Sequence, residues 1–458
     1  MPLSPHIFRA YDIRGLYPSE LNGKNAELIA KAFASFLVKK LKIKSPKVVV
    51  GRDNRTHSPE IQKGFIKGLV ESGCHVTDIG LSPTPLLYYA NTVGKFDGGC
   101  NITASHNPKE YNGIKLIGQN AHAVFGEELQ TLYKIIQKKN FVKGSGSVKT
   151  KDFKPGYKKK LVSLFKVKRP LKVVVDTANG VTGMLYPKIL QAMGHEIIGL
   201  YTESDGTFPN HEPDPIVEKN LKELKKKVLD LKADCGLAFD GDGDRVSLVT
   251  EKGVLMSADR TIMLLAKNAL SRHRGKAIVF TVSCSQLLFD LIKKWGGKPH
   301  MVQVGHSFVE HAMTRLKAIL GGEQSGHYFL PEYYYSYDDA LETAGRLLKI
   351  VSESNKPVSE LFSEFPKTYT TPELRPDCPD NVKFKIIEKT IQHFKGKYPC
   401  ITLDGIRIDF GHGGWAGIRA SNTSPKISVT MEAETPEALE EIKKIVLGYL
   451  KQFPEIKW

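Results

Sequence analysis

Several features that identify common protein classes are missing from this 458-residue chain. It has no run of about 18 apolar residues, so a membrane-spanning helix is not expected. Its six cysteines form no C-x-x-C pair, and neither H-E-x-x-H nor a Walker A pattern occurs. The first residues lack the basic-then-apolar layout of a secretory signal. We therefore expect a cytoplasmic protein, with no membrane contact and with buried, reduced thiols.

The composition is that of a globular protein with an excess of positive charge. Hydrophobic residues make up 41% and charged residues 25%, while 66 Lys+Arg against 49 Asp+Glu give a formal net charge of +17. The lysines are spread along helical faces, as in residues 222–232, and form no basic block interleaved with aromatics. We therefore predict no nucleic-acid partner, although a positive field would attract phosphorylated metabolites.

An internal repeat indicates the fold class. Three apolar, β-branched runs begin at Lys47, Lys172 and Lys276, and each is followed by a polar turn, a helical pattern and a second strand-like run. In the first copy Ser58 is the predicted N-cap and Pro59 the first helical residue. Each helix is expected to close at a glycine, namely Gly73, Gly194 and Gly296. The pattern predicts three related α/β domains with mixed, mostly parallel sheets.

The C-terminal stretch departs from this repeat. After a proline-rich connection come a helical pattern, three strand-like runs and an amphipathic helix from about Pro436, which together predict a smaller α+β domain. The Gly/Ser content of residues 141–153 indicates a linker. The predicted domains are residues 1–150, 151–252, 253–366 and 367–458.

The most specific local signal is DGDGDR, from Asp240 to Arg245. Asp240, Asp242 and Asp244 alternate with glycines directly after an apolar run. At a strand end such residues can point toward one centre, and three repelling carboxylates need a cation such as Mg²⁺ or Mn²⁺. An EF-hand loop is disfavoured, because Arg245 stands where glycine is required and the flanks are strand-like.

The second signal is NITASHNPKEYNGIK, in which Ser105 lies in a tight turn after a short strand. A hydrolase triad with His106 as base is disfavoured, because adjacent side chains rarely point at each other and G-x-S-x-G is absent. A serine that carries a phosphoryl group fits better, with the cation neutralising the transferring charge. His106, Asn107 and Lys115 supply polar or cationic groups nearby.

Two further loops carry polar side chains. In GGEQSGH, Glu323 and Ser325 suit sugar hydroxyls and His327 suits proton transfer. In RASNTSP, Arg419 precedes a turn rich in hydroxyl groups, and no acid lies within the motif. This pattern predicts a phosphate cradle. The G-x-G-x-x-A match at residues 411–416 precedes a strand pattern, so a dinucleotide site is not predicted.

These four loops, in this order and one per predicted domain, resemble those of the α-D-phosphohexomutase superfamily, and FRAYDIRG (8–15) is similar to its bacterial phosphomannomutase/phosphoglucomutase branch. The resemblance implies four domains around a central cleft, Ser105 as phosphoserine, and Mg²⁺ bound by the three aspartates and by Ser105. It implies catalytic roles for Arg14, His106, Lys115, Arg245 and His327. It also implies a substrate-binding set: Tyr11, His306, Glu323, Ser325, His327, Arg419, Ser421, Asn422 and Thr423.

By the same resemblance, phosphorylated Ser105 gives its phosphoryl group to a hexose monophosphate, and a hexose 1,6-bisphosphate, also the activator, turns over before the serine is rephosphorylated. Mannose and glucose phosphates are the expected substrates of a monomer or weak dimer. Gln324 is similar instead to the phosphoglucosamine mutase branch, and Ser283 departs from a lysine often found there. A metal-dependent phosphatase and a basic binding protein are the alternatives from other classes.

Overall fold

A computed structural model describes residues 3–421 and 424–458, and the backbone contacts divide the chain into two units. The first unit comprises Met1–Ser257 with Ser325–Leu361, and the second comprises Ala258–Gln324 with Phe362–Trp458. The predicted third domain therefore contributes residues to both units. The four predicted domain boundaries themselves stay a prediction.

The first unit begins with a six-stranded mixed sheet flanked by helices. Its strand order is β1-β5-β4-β2-β3-β6; β2, β3, β4 and β6 are parallel, whereas β5 is antiparallel to β1 and β4. Continuous apolar runs such as 48–50 form its central strands because both faces are covered. The elements are β1 (Ile13–Leu16), α1 (Gly23–Leu41), β2 (Lys47–Arg52), α2 (Ser58–Glu71), β3 (His75–Leu81), α3 (Thr84–Gly94), β4 (Gly98–Ile102), β5 (Tyr111–Ile117), α4 (Glu127–Gln137) and β6 (Ser147–Thr150).

A second sheet of the first unit has the order β10-β9-β7-β8, with only the β9–β10 pair antiparallel. Every residue of β9 and β10 is buried. The elements are α5 (Lys154–Phe165), β7 (Lys172–Asp176), α6 (Tyr186–Ala192), β8 (Glu196–Leu200), α7 (Lys222–Asp230), β9 (Cys235–Phe239) and β10 (Val246–Thr250). The β9–β10 hairpin thus presents its connecting turn, residues 240–245, at one end of a buried sheet.

The second unit contains a third parallel arrangement, in which β11 pairs with β12 on one side and with β13 on the other. It is built from α8 (Ala258–Leu270), β11 (Ala277–Thr281), α9 (Gln286–Lys294), β12 (Lys298–Val302), α10 (His306–Leu316) and β13 (Leu320–Gly322). The chain then returns to the first unit with β14 (Tyr328–Phe329) and α11 (Ala340–Ser354), and α12 (Val358–Ser363) follows at the boundary between the units.

The C-terminal region of the second unit is smaller and its sheet is entirely antiparallel, in the order β15-β19-β18-β17-β16. Two helices, α13 and α14, pack their apolar residues against it in one core. The elements are β15 (Tyr369–Thr370), α13 (Asp380–Lys395), β16 (Cys400–Ile401), β17 (Ile406–Gly411), β18 (Gly414–Ala420), β19 (Ile427–Ala433) and α14 (Pro436–Leu450). This confirms the predicted smaller α+β region and its final helix.

The internal repeat is confirmed as three strand-helix-strand units, namely β2-α2-β3, β7-α6-β8 and β11-α9-β12. Gly73, Gly194 and Gly296 follow the three helices with φ of 85°, 111° and 78°. Glycine adopts this left-handed conformation without a Cβ clash, and it therefore ends each helix.

Two local predictions are wrong. Ser58 is the first residue of α2 and makes no cap, because its hydroxyl donates instead to Asp53 Oδ1 at 2.5 Å. The predicted linker contains β6, which pairs in parallel with β3. All four residues of β6 are exposed, so this strand is held by backbone pairing and has no apolar pattern that a sequence could reveal.

The helices differ in length and polarity. The longest among the described residues, α1, has 19 residues and carries lysines in its last turn. No helix in the described ranges combines the length and the hydropathy needed to cross a bilayer.

Candidate active site

The turn between β9 and β10 brings the three predicted carboxylates together. Asp240, Asp242 and Asp244 are 0% exposed, and they offer oxygen atoms that all lie within 4.8 Å of one another. Gly243 has a φ of 80°, and its carbonyl accepts a hydrogen bond from Tyr186 Oη at 2.8 Å. The alternating spacing therefore does place the three side chains on one side of a tight turn.

Burial and the nearby Lys115 shift the pKa values of these carboxyl groups in opposite directions. Burial raises the pKa of Asp240 well above its ordinary value, and the neighbouring Asp244 and Asp242 raise it further. Burial alone would also raise the pKa of Asp244, but Lys115 and other cations outweigh it and hold that pKa well below its usual range. Lys115 Nζ donates to Asp242 Oδ2 at 2.8 Å and also to Asp244 Oδ2.

The cluster fits a divalent cation. Asp242 Oδ1 and Asp244 Oδ1 are buried and have no hydrogen-bond partner among the described residues. A buried carboxylate oxygen without a donor is costly unless something positive reaches it. An all-oxygen donor set suits a hard cation, so these residues could hold a metal ion.

Ser105 lies against this cluster although 135 residues separate it from Asp240. Its Oγ donates to Asp240 Oδ2 at 2.7 Å, and the side chain is 1% exposed. The residue follows β4 in a non-regular segment and has a φ of 53°, which costs a non-glycine residue roughly 1 kcal/mol. Its amide donates to Thr103 Oγ1 at 2.9 Å. The backbone is therefore held in a conformation that directs the hydroxyl at the carboxylates.

His106 meets Ser105, contrary to the sequence-based expectation for adjacent residues. Its Nδ1 lies 3.2 Å from Ser105 Oγ, because the left-handed turn at Ser105 brings the two side chains to one side. Burial lowers the pKa of His106 well below its ordinary value, and Arg245 and Arg14 lower it further. Since none of the described carboxylates hydrogen-bonds His106, a Ser-His-Asp triad is not formed.

Arg14 reaches the Ser105 loop from β1. Its Nη1 donates to Asn107 Oδ1 at 2.5 Å and to Ala104 O at 3.3 Å, while its Nε donates to Asp12 Oδ2 at 2.8 Å. Burial lowers the pKa of Arg14, but Asp12 and Tyr11 outweigh this and raise it. Asn107 and Tyr11, two further residues predicted at the site, are thus neighbours of Arg14.

Arg245 and His327 form a bridge between two distant strand ends. Arg245 Nε donates to His327 Nε2 at 2.9 Å, and His327 Nδ1 donates to Asp338 Oδ2 at 2.6 Å. Burial lowers the pKa of His327 to about 3. A neutral imidazole with Nδ1–H on a carboxylate keeps an acceptor at Nε2.

Sequence reasoning missed two contributors. Asp338 orients His327. Thr84 binds Asp242 of the acidic turn, residues 240–245 (the metal loop, for the ion it could hold), through both its hydroxyl (2.6 Å to Oδ2) and its amide (2.8 Å to O). The paired acids in YYYSYDD were a signal for Asp338. Thr84 has no sequence signal, because it begins an ordinary helix, α3.

The remaining predicted residues of the sugar loop are divided between the units. In the second unit, Glu323 follows β13 and its Oε2 accepts the amide of Gly305 at 3.1 Å, while His306 begins α10. In the first unit, Ser325 lies half-buried in a turn.

Arg419 and Ser421 lie in the second unit, at the end of β18. Although the motif itself contains no acid, Glu373 Oε1 lies 3.6 Å from Arg419 Nη2. Lys383 Nζ donates to Ser421 O at 2.6 Å and to Ser424 O at 3.0 Å. Asn422 and Thr423 lie outside the described residues.

Ser283, where a lysine was anticipated, has Oγ 3.0 Å from Thr281 Oγ1. A positive charge nevertheless reaches residues 282–284, the segment after β11. Arg407 Nη1, from β17, donates to Val282 O at 2.6 Å and to Cys284 O at 2.8 Å. Both partners belong to the second unit.

Comparison with known families identifies four consecutive matches. Residues 5–143, 155–253 and 257–369 match the phosphoglucomutase/phosphomannomutase alpha/beta/alpha domains I, II and III, and residues 373–448 match the C-terminal domain of the same family. These matches agree with three α/β domains followed by a smaller α+β domain.

Individual relatives extend over the whole chain. The chain is 43% identical to a phosphomannomutase/phosphoglucomutase of Pseudomonas aeruginosa, covering 98% of this chain and 96% of the relative. It is 37% identical to a phosphoglucomutase of Neisseria meningitidis, covering 99% and 98%. A solved phosphoglucomutase/phosphomannomutase family protein from Burkholderia thailandensis superposes with a TM-score of 0.92 at 36% identity, covering 100% of both chains. With the four domain matches in the same order, these full-length likenesses place the chain in the phosphoglucomutase/phosphomannomutase family, a bacterial branch of the α-D-phosphohexomutase superfamily.

Proposed function

We propose that this chain is a phosphohexomutase that interconverts hexose 1-phosphates and hexose 6-phosphates, with mannose and glucose phosphates as substrates. The observation that carries the proposal is the 2.7 Å contact between Ser105 Oγ and Asp240 Oδ2. A buried serine hydroxyl beside three carboxylates that can hold a cation is suited to carrying a phosphoryl group. The names of the relatives support the same activity.

The proposed reaction moves a phosphoryl group twice. In the first half, the bond between Ser105 Oγ and phosphorus breaks as a free hydroxyl of the hexose monophosphate bonds to that phosphorus, which gives a 1,6-bisphosphate. In the second half, Ser105 Oγ accepts the other phosphoryl group and the isomeric monophosphate leaves. Catalysis of this kind depends on alignment and on stabilisation of charge. A hexose 1,6-bisphosphate would phosphorylate an unmodified Ser105 and so act as activator.

The three aspartates are proposed to hold Mg²⁺ together with an oxygen of the serine group. When bound, the ion would neutralise charge on the transferring phosphoryl group. Asp240 Oδ1 is already occupied by the amides of Gly243 (2.8 Å) and Arg245 (3.2 Å). Asp240 would therefore contribute Oδ2, which faces Ser105 Oγ at 2.7 Å. Asp242 and Asp244 would contribute their Oδ1 atoms, which have no hydrogen-bond donor among the described residues.

Protons and charge are proposed to be handled by the groups around Ser105. The lowered pKa of His327 keeps its imidazole neutral at physiological pH. Its Nε2, which accepts the Arg245 Nε–H at 2.9 Å in the structure, would accept the proton of a sugar hydroxyl once Arg245 turns toward the phosphoryl oxygens. Lys115, Arg14 and Arg245 are cations that can stabilise the phosphoryl oxygens. His106, also kept neutral by burial, lies at 3.2 Å from Ser105 Oγ.

Recognition of the hexose phosphate is assigned to the other predicted residues. Glu323, Ser325 and His327 would bind sugar hydroxyls, and Tyr11 and His306 would line the site. Arg419, Ser421, Asn422 and Thr423 would bind the phosphate that does not react. Because either end of the sugar must fit this cradle in turn, it should recognise phosphate irrespective of the carbon that carries it.

The proposal is tested with glucose 1-phosphate, mannose 1-phosphate and glucosamine 1-phosphate, each with Mg²⁺ or with EDTA. We expect the first two to yield their 6-phosphates, with no free phosphate and with loss of turnover in EDTA. Exclusive use of glucosamine 1-phosphate would instead support the phosphoglucosamine mutase alternative. Release of inorganic phosphate in place of the 6-phosphate would overturn a mutase in favour of a phosphatase.

We propose further that the protein acts in the cytoplasm as a monomer or weak dimer without a nucleic-acid partner. The location is supported by the names of its relatives, which denote enzymes of hexose phosphates. Sedimentation velocity measures the oligomeric state. Loss of heparin retention at physiological salt is the expected result for a protein with no nucleic-acid role.

A further inference from the structure

Arg55 is a buried arginine near Ser105 that the proposed reaction does not use. It lies in the turn after β2, and its side chain is among the largest of those fully buried in the described chain. Its Nε lies 3.2 Å from Asp53 Oδ2, and the ring of Phe208 stacks at 5.1 Å from the guanidinium carbon. These contacts use Nε and the face of the guanidinium, not its two terminal nitrogens. What those nitrogens bind therefore defines the role of the residue.

Both terminal nitrogens bind backbone carbonyls of the segment that carries Ser105. Nη1 donates to Pro108 O at 2.7 Å and to Tyr111 O at 3.0 Å. Nη2 donates to Ser105 O at 2.9 Å and to Asn107 O at 2.6 Å. Four carbonyls within residues 105–111 thus converge on one planar guanidinium, a geometry that the single ammonium of lysine cannot reproduce.

The peptide groups on both sides of Ser105 are fixed by this arrangement. The amide of Ser105 is bound to Thr103 Oγ1 and its carbonyl to Arg55 Nη2. The metal loop also approaches that carbonyl closely, since a Cβ on Gly241 would lie 2.6 Å from Ser105 O. A residue with a φ of 53° stays in that conformation only where its surroundings hold it there.

We infer that Arg55 is a positioning residue for phosphoryl transfer: by binding four carbonyls of residues 105–111 it holds Ser105 in its left-handed conformation, with Oγ directed at Asp240. Arg55 binds Ser105 only through its backbone carbonyl and hydrogen-bonds neither Ser105 Oγ nor the three carboxylates, so it acts through the loop. The inference rests on the proposed function, because positioning matters only if Ser105 is the group that reacts. It concerns kcat more than substrate affinity, since the loop aligns the reacting atom and the predicted phosphate cradle lies elsewhere in the sequence.

The first test compares R55M and R55K with variants of Arg346, a buried arginine of the same unit that pairs with Glu332 at 3.2 Å. The hydrogen bonds, ion pairs and ring contacts of Arg346 all lie outside residues 103–111. Misalignment of a reacting group can lower turnover by about 100-fold. We expect R55M to lose about that much kcat for glucose 1-phosphate with KM changed less than about 3-fold, and R55K to lose less. R346M should lose thermal stability while its kcat stays within about 2-fold.

Amide hydrogen exchange provides a readout that does not require activity. We expect faster exchange across residues 103–111 in R55K but not in R346K, measured without substrate. In R55A, added methylguanidinium should slow that exchange and restore part of the turnover, because it can occupy the vacated space. If R55M does not fold, hydrogen exchange in R55K and rescue of R55A by methylguanidinium still test the positioning role of Arg55.

The outcomes separate the inference from the proposed function. Folded R55M with kcat within about 3-fold of the unmodified chain overturns the positioning role, and so does unchanged exchange across residues 103–111 in R55K. Altered exchange with unaltered kcat would likewise overturn it. If the unmodified chain itself shows no mutase turnover, the proposed function fails, whereas the exchange arm still reports whether Arg55 orders the loop.

Discussion

The two loops proposed to handle phosphoryl groups differ in how they are built. In the first unit, Ser105 is 1% exposed, and its amide, carbonyl and hydroxyl each have a partner. In the second unit, the Arg419 side chain is 16% exposed, and its Nε has no described hydrogen-bond partner. The Ser105 loop is held by hydrogen bonds inside the protein, whereas Arg419 has an N–H group that is not used in a hydrogen bond with the described residues.

The difference corresponds to two different tasks. Phosphoryl transfer requires a reacting atom in one place, where burial strengthens each electrostatic contact. Binding a phosphate that does not react requires spare donors that accept either end of the sugar. Changes in the Ser105 loop should therefore act on kcat, and changes at Arg419 on KM.

The largest effect is expected for S105A. Removal of the oxygen that carries the phosphoryl group should lower kcat by at least about 10⁴-fold, because no other group can replace it. The measurement is glucose 6-phosphate formation with the 1,6-bisphosphate present, together with intact mass to detect a phosphorylated serine in the unmodified chain. Turnover by S105A close to that of the unmodified chain would contradict the phosphoserine role.

The next effect concerns the stability of the second unit, where burial and Glu432 raise the pKa of Asp259 to about 6. A carboxyl with a raised pKa keeps its proton in the folded state while the unfolded chain releases it near pH 4, so stability falls as pH rises from about 4 to 6. D259N should remove about 3 kcal/mol of this pH dependence.

The check is urea unfolding at several pH values, with D290N as control because Asp290 is exposed. Parallel curves for D259N and the unmodified chain would mean that the pKa of Asp259 is the same in the folded and the unfolded state. Asp339 in the first unit has a pKa raised by burial to about 6, so part of the pH dependence should persist in D259N.

A smaller change is expected for R419A. Loss of charge-assisted hydrogen bonds to a phosphate should weaken binding by about 2 kcal/mol, which raises KM for glucose 1-phosphate about 30-fold with little change in kcat. R419K, which retains the charge, should recover part of this loss. If R419A lowered kcat and left KM unchanged, the Arg419 loop would act on turnover like the Ser105 loop, and the proposed division of tasks would be wrong.

The smallest effect is expected for Y186F, which removes the hydrogen bond from Tyr186 Oη to Gly243 O beneath the metal loop. The free energy of unfolding should fall by about 1 kcal/mol, since one buried hydrogen bond is lost. Y449F is a matched control, because Tyr449 Oη donates to Lys389 O at 3.1 Å in an exposed place. Equal losses in the two variants would show that burial does not distinguish these bonds.

Local signals predicted much of the fold because they depend on near neighbours. The apolar runs at 47, 172 and 276 became β2, β7 and β11, and the glycines after their helices adopt positive φ. Where the signal was absent, prediction failed: β6 has only exposed residues. Ser58 was mistaken for a cap because its competing partner, Asp53, lies outside the helix.

The candidate site was predictable in its residue types and not in its contacts. The alternation in DGDGDR indicated convergent carboxylates, and the structure places them together. Nothing in the sequence revealed that Lys115 would donate to Asp242, 127 residues away, or that Arg55 would bind four carbonyls of the Ser105 segment. Thr84, which begins an ordinary helix, was likewise invisible without the fold.

By itself the sequence determined the repeated strand-helix-strand units, the tight acidic turn and the set of polar loops, because backbone preferences and apolar periodicity act over a few residues. Only the tertiary structure decided which carboxylate oxygen faces Ser105 and which carboxylate oxygens have no hydrogen-bond donor. It also decided that the Lys115 ammonium donates to both Asp242 and Asp244. Those relations depend on distances between segments far apart in the chain. Burial then lowers the pKa of His327 and raises that of Asp240, since the ionised form of each loses its hydration inside the protein.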